Sequence, residues 1–278
     1  MDSPELEDST PLLVFEVLHA LVREAKALDS AVARLLRSDP GPSKNNADEP
    51  STLPWQGGES FYRALEGKID RGELTFSQAT DMLRVILREV DYFGVLVQNL
   101  LGSVTSDQAL TVNRRPVDLE GLINEVVDLF EHLASERRID ILTYIHDDAV
   151  LNIDRNLTRR MIVNLLDNAI KYSYAPPEAG GKRFVVVECR RHSVYGDMAI
   201  SIKSYGVEID PDEITTGYIF KYGARGKYAN DRGRSGTGIG LAEAKRIAEA
   251  HRGELRINSE RQKGNTFLTI VTAVLPKT

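Results

Sequence analysis

Two asparagines four residues apart stand in an otherwise apolar helical pattern, in the segment NLLDNAIKYS at residues 164–173. Asn164, Asn168 and Lys171 recur at spacings of four and three, which places them along one stripe of a helix. Asparagine is a mediocre helix former and is costly to bury without a partner. Either these amides cap neighbouring backbone or they face something polar. An amide oxygen on a rigid helix can ligate Mg²⁺ that bridges phosphates, and a lysine can meet a phosphate as a point charge.

A glycine-rich segment, GRSGTGIGL at residues 233–241, precedes a second helical pattern. Glycines alternate there, and a glycine loop that runs into a helix N-terminus presents bare backbone N–H groups to an anion. The segment is not a Walker loop, because no Gly-Lys-Ser/Thr follows. The basic residues around it are Lys221, Arg225, Lys227, Arg232 and Arg234. The pattern indicates a phosphate-binding lid, and the alternative is a solvated mobile loop.

The elements that must position these residues lie in the second half of the chain. Helical patterns cover residues 118–136, 155–172 and about 239–251. Strand patterns cover residues 139–146, 149–154, 183–191, 198–204, 254–260 and 266–275. Helices and strands mix without a strict βαβ alternation, which predicts an α+β fold built as a two-layer sandwich.

The first half of the chain has a helical pattern of a different kind. Apolar residues alternate at spacings of three and four through residues 11–37 and 76–104, which predicts an antiparallel helical hairpin. One hairpin buries little by itself, so we expect a homodimer with a four-helix bundle. The alternative is that both seams pack on the second domain. Residues 38–58 are rich in proline and glycine and predict a flexible insertion, and residues 59–74 predict a short helix.

Length and composition restrict the class of protein. The 278 residues are enough for two domains. We predict a helical dimerisation domain (11–113) and a catalytic domain (114–278), preceded by an acidic tail (1–10). The net charge of −6 argues against nucleic acid or anionic lipid as a partner. A single cysteine, Cys189, excludes a disulfide framework and fits a reducing compartment. No run of about 18 apolar residues is present and the N-terminus is acidic, so we expect a chain without a signal peptide or membrane span. We expect it to be cytoplasmic, and the alternative is that it is the soluble part of something larger.

The two chemical segments together resemble a known family. NLLDNAIKYS resembles the N box of the GHKL ATPases, the superfamily of gyrase, heat-shock chaperone, histidine-kinase and MutL-type nucleotide-binding domains. GTGIGLAEAKRIAEAHRGEL and the strands after it resemble the second glycine box of the histidine-kinase branch. EVDYFGVLVQNLL followed by RPVDLEGLINEVVDLF is similar to the second dimerisation helix and connector of sensor histidine kinases. The resemblance covers about residues 80–278 and identifies a sensor histidine kinase core.

That resemblance implies a Bergerat-type sandwich that binds Mg-ATP under a movable lid. Asn168 would ligate Mg²⁺, Phe220 in IFKYGARG would pack the lid, and Arg225 would be available to the γ-phosphate. Phosphates or ribose would be held by Asn164, Lys171 and Tyr172, and the triphosphate would be wrapped by Gly236, Gly238 and Gly240 with Thr237 and Leu241 of the same box.

The first glycine box departs from the family pattern of an aspartate followed by Asn-Gly-x-Gly-Ile. The segment reads SYGVEI, so Ser204 stands at the position of the adenine-reading aspartate, Gly206 is kept, and Glu208 replaces the second glycine. Losing a hydrogen bond to a charged group costs about 1.5–3 kcal/mol, which is about a tenfold to hundredfold loss of affinity. We therefore expect weak ATP binding, compensated in part by Thr266, which resembles a threonine that supports the base.

The histidine box is also degraded, and two registers compete. STPLL at residues 9–13 would put Leu6 at the histidine position. The other register uses His19 as the phosphoacceptor, with Ala20 where an acid belongs and Glu16 as a substitute base one turn earlier. The alternative is that His19 is an exposed helical histidine. The other histidines, His132, His146 and His192, are too scattered for a metal site, and His251 is expected to be structural.

Three functions remain open at this stage. The first is an ATP-dependent protein-histidine kinase that passes the phosphoryl group to the aspartate of a response-regulator receiver domain. The second is a pseudokinase that acts as a dimeric scaffold for a receiver or another kinase. The third is a kinase acting on serine, against which the helical connector argues.

Overall fold

The structure of the chain is a computed structural model that describes residues 67–73, 75–105, 108–146, 149–174, 182–229, 237–262 and 266–277. The chain divides into two compact units, residues 1–93 and 94–278. The predicted helix over 11–37, the insertion at 38–58 and the first part of the predicted helix over 59–74 lie outside the described residues, whereas residues 67–70 are helical.

A long helix, α1 (Phe76–Val104), confirms the prediction for residues 76–104. The Thr75 hydroxyl accepts a hydrogen bond from the Gln78 N–H at 3.3 Å, and the Gln78 side chain accepts one from the Thr75 N–H at 2.9 Å. This reciprocal pair is a capping box, which satisfies N–H groups at the helix N-terminus. Residues 94–104 of α1 belong to the second unit, and the domain boundary predicted at residues 113–114 stays a prediction.

Seven strands form two sheets in the described part of the second unit. The strands are β1 (Arg115–Asp118), β2 (Ile139–Ile145), β3 (Val150–Ile153), β4 (Arg183–Arg191), β5 (Met198–Gly206), β6 (Glu254–Arg261) and β7 (Phe267–Leu275). Five of them make a mixed sheet in the order β2-β4-β5-β7-β6, in which only β2 and β4 are parallel neighbours. β1 and β3 pair separately as an antiparallel ribbon. The six predicted strands are confirmed within two residues at each end, whereas β1 was not predicted.

Four described α-helices accompany the sheet in this unit: α2 (Leu119–Glu136), α3 (Arg155–Tyr172), α4 (Pro211–Thr215) and α5 (Gly240–Ala250). A 3₁₀ turn at Tyr218–Phe220 follows α4. Three of the helices begin after an aspartate, Asp118, Asp154 or Asp210, whose carboxylate accepts hydrogen bonds from first-turn N–H groups. Such a cap stabilises a helix by about 0.5–2 kcal/mol. The aspartates therefore set where these helices start.

The core lies between the helices and one face of the mixed sheet. Helix α3 contacts β5, α2 and α5, and α2 also contacts β2. Side chains from both layers are almost fully buried, among them Met161, Ile162, Leu165 and Leu166 of α3 and Val185 and Val187 of β4. The predicted two-layer α+β sandwich is confirmed for this unit. Within the described ranges, no helix combines the length and the apolar character that a membrane span requires.

Candidate nucleotide site

The first asparagine of the stripe on α3 contacts the last part of α1. Asn164 is 5% exposed and Asn99 is 4% exposed. The Asn99 amide nitrogen donates to the Asn164 oxygen at 2.6 Å, and the Asn164 nitrogen donates to the Asn99 oxygen at 3.1 Å. Two buried amides thus satisfy one another, which removes most of the cost of burying them. The expectation of a polar partner for Asn164 is met by another side chain, and a contact with phosphate or ribose remains a prediction.

The second part of the stripe is less buried. Asn168 is half-buried one turn further along α3, and Lys171 follows it. The Lys171 ammonium lies 2.5 Å from the Asp167 carboxylate, and their side chains are 15% and 10% exposed. The lysine charge is therefore already balanced within the helix. For Lys171 to contact a phosphate, its ammonium group must either leave Asp167 or interact with Asp167 and the phosphate together.

The C-terminal end of α3 is joined to the end of β5. The Tyr174 N–H donates to the Tyr205 carbonyl at 2.5 Å, and Ser173 forms an isolated antiparallel bridge with Gly206. A Cβ added to Gly206 would lie 2.4 Å from the Tyr172 carbonyl oxygen, closer than real Cβ contacts. Gly206 is therefore required by this close approach, and the predicted residues Tyr172 and Gly206 lie together.

The substituted position of the first glycine box is inside the sheet. Ser204 pairs with Val185 on β4 and with Thr269 on β7, and it is 6% exposed. Thr266, which is 7% exposed, directly precedes the residue of β7 that pairs with Gly206. The hydroxyl of Ser173 is buried and has no hydrogen-bond partner in the described part of the chain. Hydroxyl groups, which both donate and accept, thus occupy this end of the sheet, at the position where the family pattern has an aspartate.

The segment 218–229 carries Phe220, which was expected to pack the lid, and Arg225, which was expected to be available to the γ-phosphate. The Lys245 ammonium of α5 lies 4.6 Å from the centre of the Phe220 ring, a cation–π contact. Arg225 is half-buried. The Gly223 N–H donates to the Gly238 carbonyl at 3.1 Å. Gly238 has a φ of +68°, and a Cβ there would lie 2.5 Å from the Ala224 oxygen, so this position requires glycine.

The start of α5 differs from the other helix starts in this unit. Its first flanking residue is Ile239, which supplies no side-chain cap. The N–H groups of Gly240, Leu241 and Ala242 precede the first hydrogen bond of the helix, from the Glu243 N–H to the Ile239 carbonyl at 3.0 Å. Such N–H groups, together with the positive end of the helix dipole, favour an anion.

The α5 start also meets the asparagine stripe of α3. A Cβ built on Gly240 would lie 3.5 Å from the Asn164 oxygen. The predicted residues Asn164, Gly238 and Gly240 are therefore brought together. Thr237 is exposed and Leu241 half-buried beside them, whereas Gly236 lies outside the described residues, as do His19 and Glu16.

A buried carboxylate behind this helix start was not predicted. Glu243 is fully buried, and it forms an ion pair with Arg160 of α3. Its other oxygen accepts a hydrogen bond from the Tyr222 hydroxyl at 2.5 Å. Burial, and then the hydrogen bond to Glu243, raise the pKa of Tyr222 to about 12, which keeps the phenol protonated as the donor. The sequence does hold a signal for this buried carboxylate, because Glu243 lies four residues before Ile247 and so falls on the apolar face of the helical pattern.

His251 is structural, as expected. It is fully buried at the end of α5, where its Nε2 accepts from the Asp154 N–H at 3.0 Å. Because Nε2 accepts, Nδ1 carries the proton and donates to the Ile247 carbonyl at 2.8 Å. Burial lowers the pKa of His251, so the ring is held neutral. The ring thus ties the end of α5 to the start of α3.

The described residues fit a nucleotide with its metal ion. Three N–H groups without a cap stand at a glycine-lined helix start, and the half-buried amide of Asn168 lies one turn from Asn164. Across the described ranges, no group of three or more His, Cys, Asp or Glu side chains could hold a metal by itself. Mg²⁺ would therefore depend on Asn168 and on phosphate oxygens, a donor set that suits this ion.

Comparisons with known proteins agree with this geometry. Residues 153–278 match the family described as histidine kinase-, DNA gyrase B-, and HSP90-like ATPase. The adaptive-response sensory kinase SasA of Synechococcus elongatus is 32% identical over 193 residues, which cover 69% of this chain and 46% of that protein. The sensor protein kinase WalK of Staphylococcus saprophyticus is 30% identical over 220 residues, which cover 78% of this chain and 34% of that protein.

A solved structure supports the same fold. The crystal structure of full-length ShkA in complex with AMPPNP aligns with a TM-score of 0.51 and 18% identity, covering 100% of this chain and 47% of that one. The chain spans less than half of the length of the two curated relatives and of this structure. From the sheet order, the glycine-lined start of α5 and these matches, we conclude that residues 153–278 form a domain of the histidine kinase-, DNA gyrase B- and HSP90-like ATPase family.

Proposed function

We propose that this chain is an ATP-dependent protein-histidine kinase of two-component signalling. It binds Mg-ATP between α3 and the start of α5, transfers the γ-phosphoryl group to a histidine, and passes it to an aspartate of a response-regulator receiver domain. His19 is the proposed phosphoacceptor, with Glu16 as its base. The named relatives, sensory kinases matched over 69% and 78% of this chain, support this proposal.

The start of α5 is the observation that carries the proposal. Its N–H groups have no side-chain cap, and Gly238 brings the backbone so close to Ala224 that a Cβ would not fit, while Gly240 lies beside Asn164. A polyphosphate satisfies both the uncapped N–H groups and the helix dipole. Catalysis of phosphoryl transfer consists mostly of positioning and charge neutralisation.

The residues around the helix start have separate roles in this proposal. Asn168 would hold Mg²⁺, which neutralises phosphate charge and orients the phosphate chain when bound. Lys171 would approach a phosphate by leaving Asp167, and Arg225 would neutralise the γ-phosphate. Ser204 and Thr266 would face the base through hydroxyl groups, which is why we expect weak binding of ATP.

A homodimer is part of the proposal. Val97 and Leu101 lie one turn apart on α1, and they are 36% and 61% exposed. Apolar side chains on one face of a long helix favour burial against another helix. We propose that this face contributes to a bundle with a second copy, which would bring a phosphoacceptor within reach of a catalytic domain.

The test is transfer of label from γ-labelled ATP with Mg²⁺ to the full chain. We expect an acid-labile label that is lost in His19→Ala and retained in His132→Ala, because His132 lies on the surface of α2. Asn168→Ala should abolish labelling, whereas Asn156→Ala, an exposed asparagine of the same helix, should not. Acid-stable label, or nucleotide binding without any label, would contradict a histidine kinase and favour a serine kinase or a scaffold respectively.

A further inference from the structure

The last turns of α1 are held by a side chain of α5. The Arg246 guanidinium donates to the carbonyls of Gly102 at 3.1 Å, Thr105 at 3.0 Å and Gln108 at 2.6 Å. The last carbonyls of a helix have no intrahelical donor, and a cation there also interacts favourably with the helix dipole. Arg246 therefore fixes the end of α1 to α5.

Gly102 is the place where α1 meets the buried carboxylate of Glu243. A Cβ built on Gly102 would lie 2.9 Å from one carboxylate oxygen of Glu243 and 3.0 Å from the other. A side chain at position 102 would therefore displace Glu243. Gly94, about two turns earlier on α1, is different, because a Cβ there would meet nothing within 4 Å.

The carboxylate connects this contact to the segment 218–229. Glu243 accepts the hydrogen bond of Tyr222 at 2.5 Å, and the next residue, Gly223, donates its N–H to the Gly238 carbonyl at 3.1 Å. Gly238 lies two residues before the start of α5. A chain of direct contacts thus runs from Gly102 through Glu243 and Tyr222 to the backbone beside the helix start.

We propose that Glu243 and Tyr222 are positioning residues that hold the segment 218–229, and through it the phosphate-binding start of α5, in register with the end of α1. The proposal rests on the proposed function for the role of the α5 start, but the contacts do not depend on a bound nucleotide. A displacement of Gly102 relative to α5 changes the position of the Glu243 carboxylate and hence of Tyr222. The position of the end of α1 thereby affects the geometry of the nucleotide site.

The test uses three variants of the full chain and hydrogen exchange without nucleotide. Tyr222→Phe removes only a hydroxyl group, and Gly102→Ala pushes the carboxylate of Glu243 from the other side. Gly94→Ala is the matched control, because it makes the same substitution on the same helix where the added methyl has space. Loss of a hydrogen bond to a charged group should speed exchange at Gly223 by about tenfold in the first two variants. Gly94→Ala should change it by less than about twofold.

The same variants are then titrated with Mg-ATP. We expect about tenfold weaker affinity in Tyr222→Phe and in Gly102→Ala, with little further loss when the two are combined, because both act through one carboxylate. Exchange in β4 and β5 should stay unchanged, which separates a local effect from general destabilisation.

Unchanged exchange at Gly223 in Tyr222→Phe would overturn the positioning role, whether or not ATP binds. Equal effects of Gly102→Ala and Gly94→Ala on exchange at Gly223 would show that the contact of Gly102 with Glu243 does not position the segment 218–229. Faster exchange with no binding of ATP by the unsubstituted chain would leave the link standing and reject the proposed function instead.

Discussion

The ion pair between Arg160 and Glu243 gives the sharpest prediction for stability. Its side chains are 11% and 0% exposed, whereas those of Arg155 and Glu125, also paired from α3, are 49% and 40% exposed. Removing one partner of a buried pair leaves an uncompensated charge and costs about 3–5 kcal/mol. We expect Arg160→Met to cost about 3 kcal/mol, at the low end of that range, because Glu243 keeps the Tyr222 hydrogen bond and a longer contact with the Arg246 guanidinium at 3.5 Å.

Arg155→Met is the matched control on the same helix, and an exposed pair contributes about 0–1 kcal/mol. Urea unfolding followed by circular dichroism should show the difference as a lower midpoint with an unchanged slope. In thermal unfolding, about 3 kcal/mol corresponds to about 6–12 °C for a domain of this size. Equal losses in the two variants, or a loss below about 1 kcal/mol in Arg160→Met, would refute the reasoning from burial.

Three further predictions each concern a single residue. Ser204→Asp should raise the affinity for Mg-ATP about tenfold to hundredfold, measured by calorimetry, and an unchanged affinity would place the base elsewhere. Because burial lowers the pKa of His251, the stability it contributes is present above its unfolded pKa of about 6.5 and is lost as the pH falls toward the lower folded value. The melting temperature should therefore drop between pH 7 and pH 5, and less so in His251→Gln. Arg252 has a φ of +61°, a left-handed conformation that favours glycine. Arg252→Gly should therefore raise the free energy of unfolding by about 0.5–1 kcal/mol in urea. A lower free energy of unfolding would show that the contacts of the Arg252 side chain outweigh the relief of backbone strain.

Much of the fold could be predicted because local signals and packing agree. Asp118 and Asp154 precede α2 and α3 and cap them, and the apolar periodicity of both helices matches the residues that are buried. β1 was not predicted, because four residues that include a proline carry almost no strand signal. β5 extends two residues beyond its prediction, to Gly206, because those residues pair with Leu268 and Phe267 of β7.

The candidate site could be predicted only where its residues stand close in sequence. The asparagine stripe and the glycine loop each have a local pattern, and the structure brings Asn164 and Gly240 together. The partners of Asn164 and Glu243 come from segments 65 and 83 residues away, Asn99 and Arg160, and no local pattern joins such pairs. The contact between α1 and the helix start is for that reason visible only in three dimensions.

Calorimetric titration of the full chain with ATP, with and without Mg²⁺, tests the central claim most directly. We predict one weak site per chain whose affinity increases with Mg²⁺, and loss of that increase in Asn168→Ala but not in Asn156→Ala. Absence of binding at millimolar ATP, or binding that ignores both Mg²⁺ and Asn168, would contradict a nucleotide site built from α3 and the start of α5.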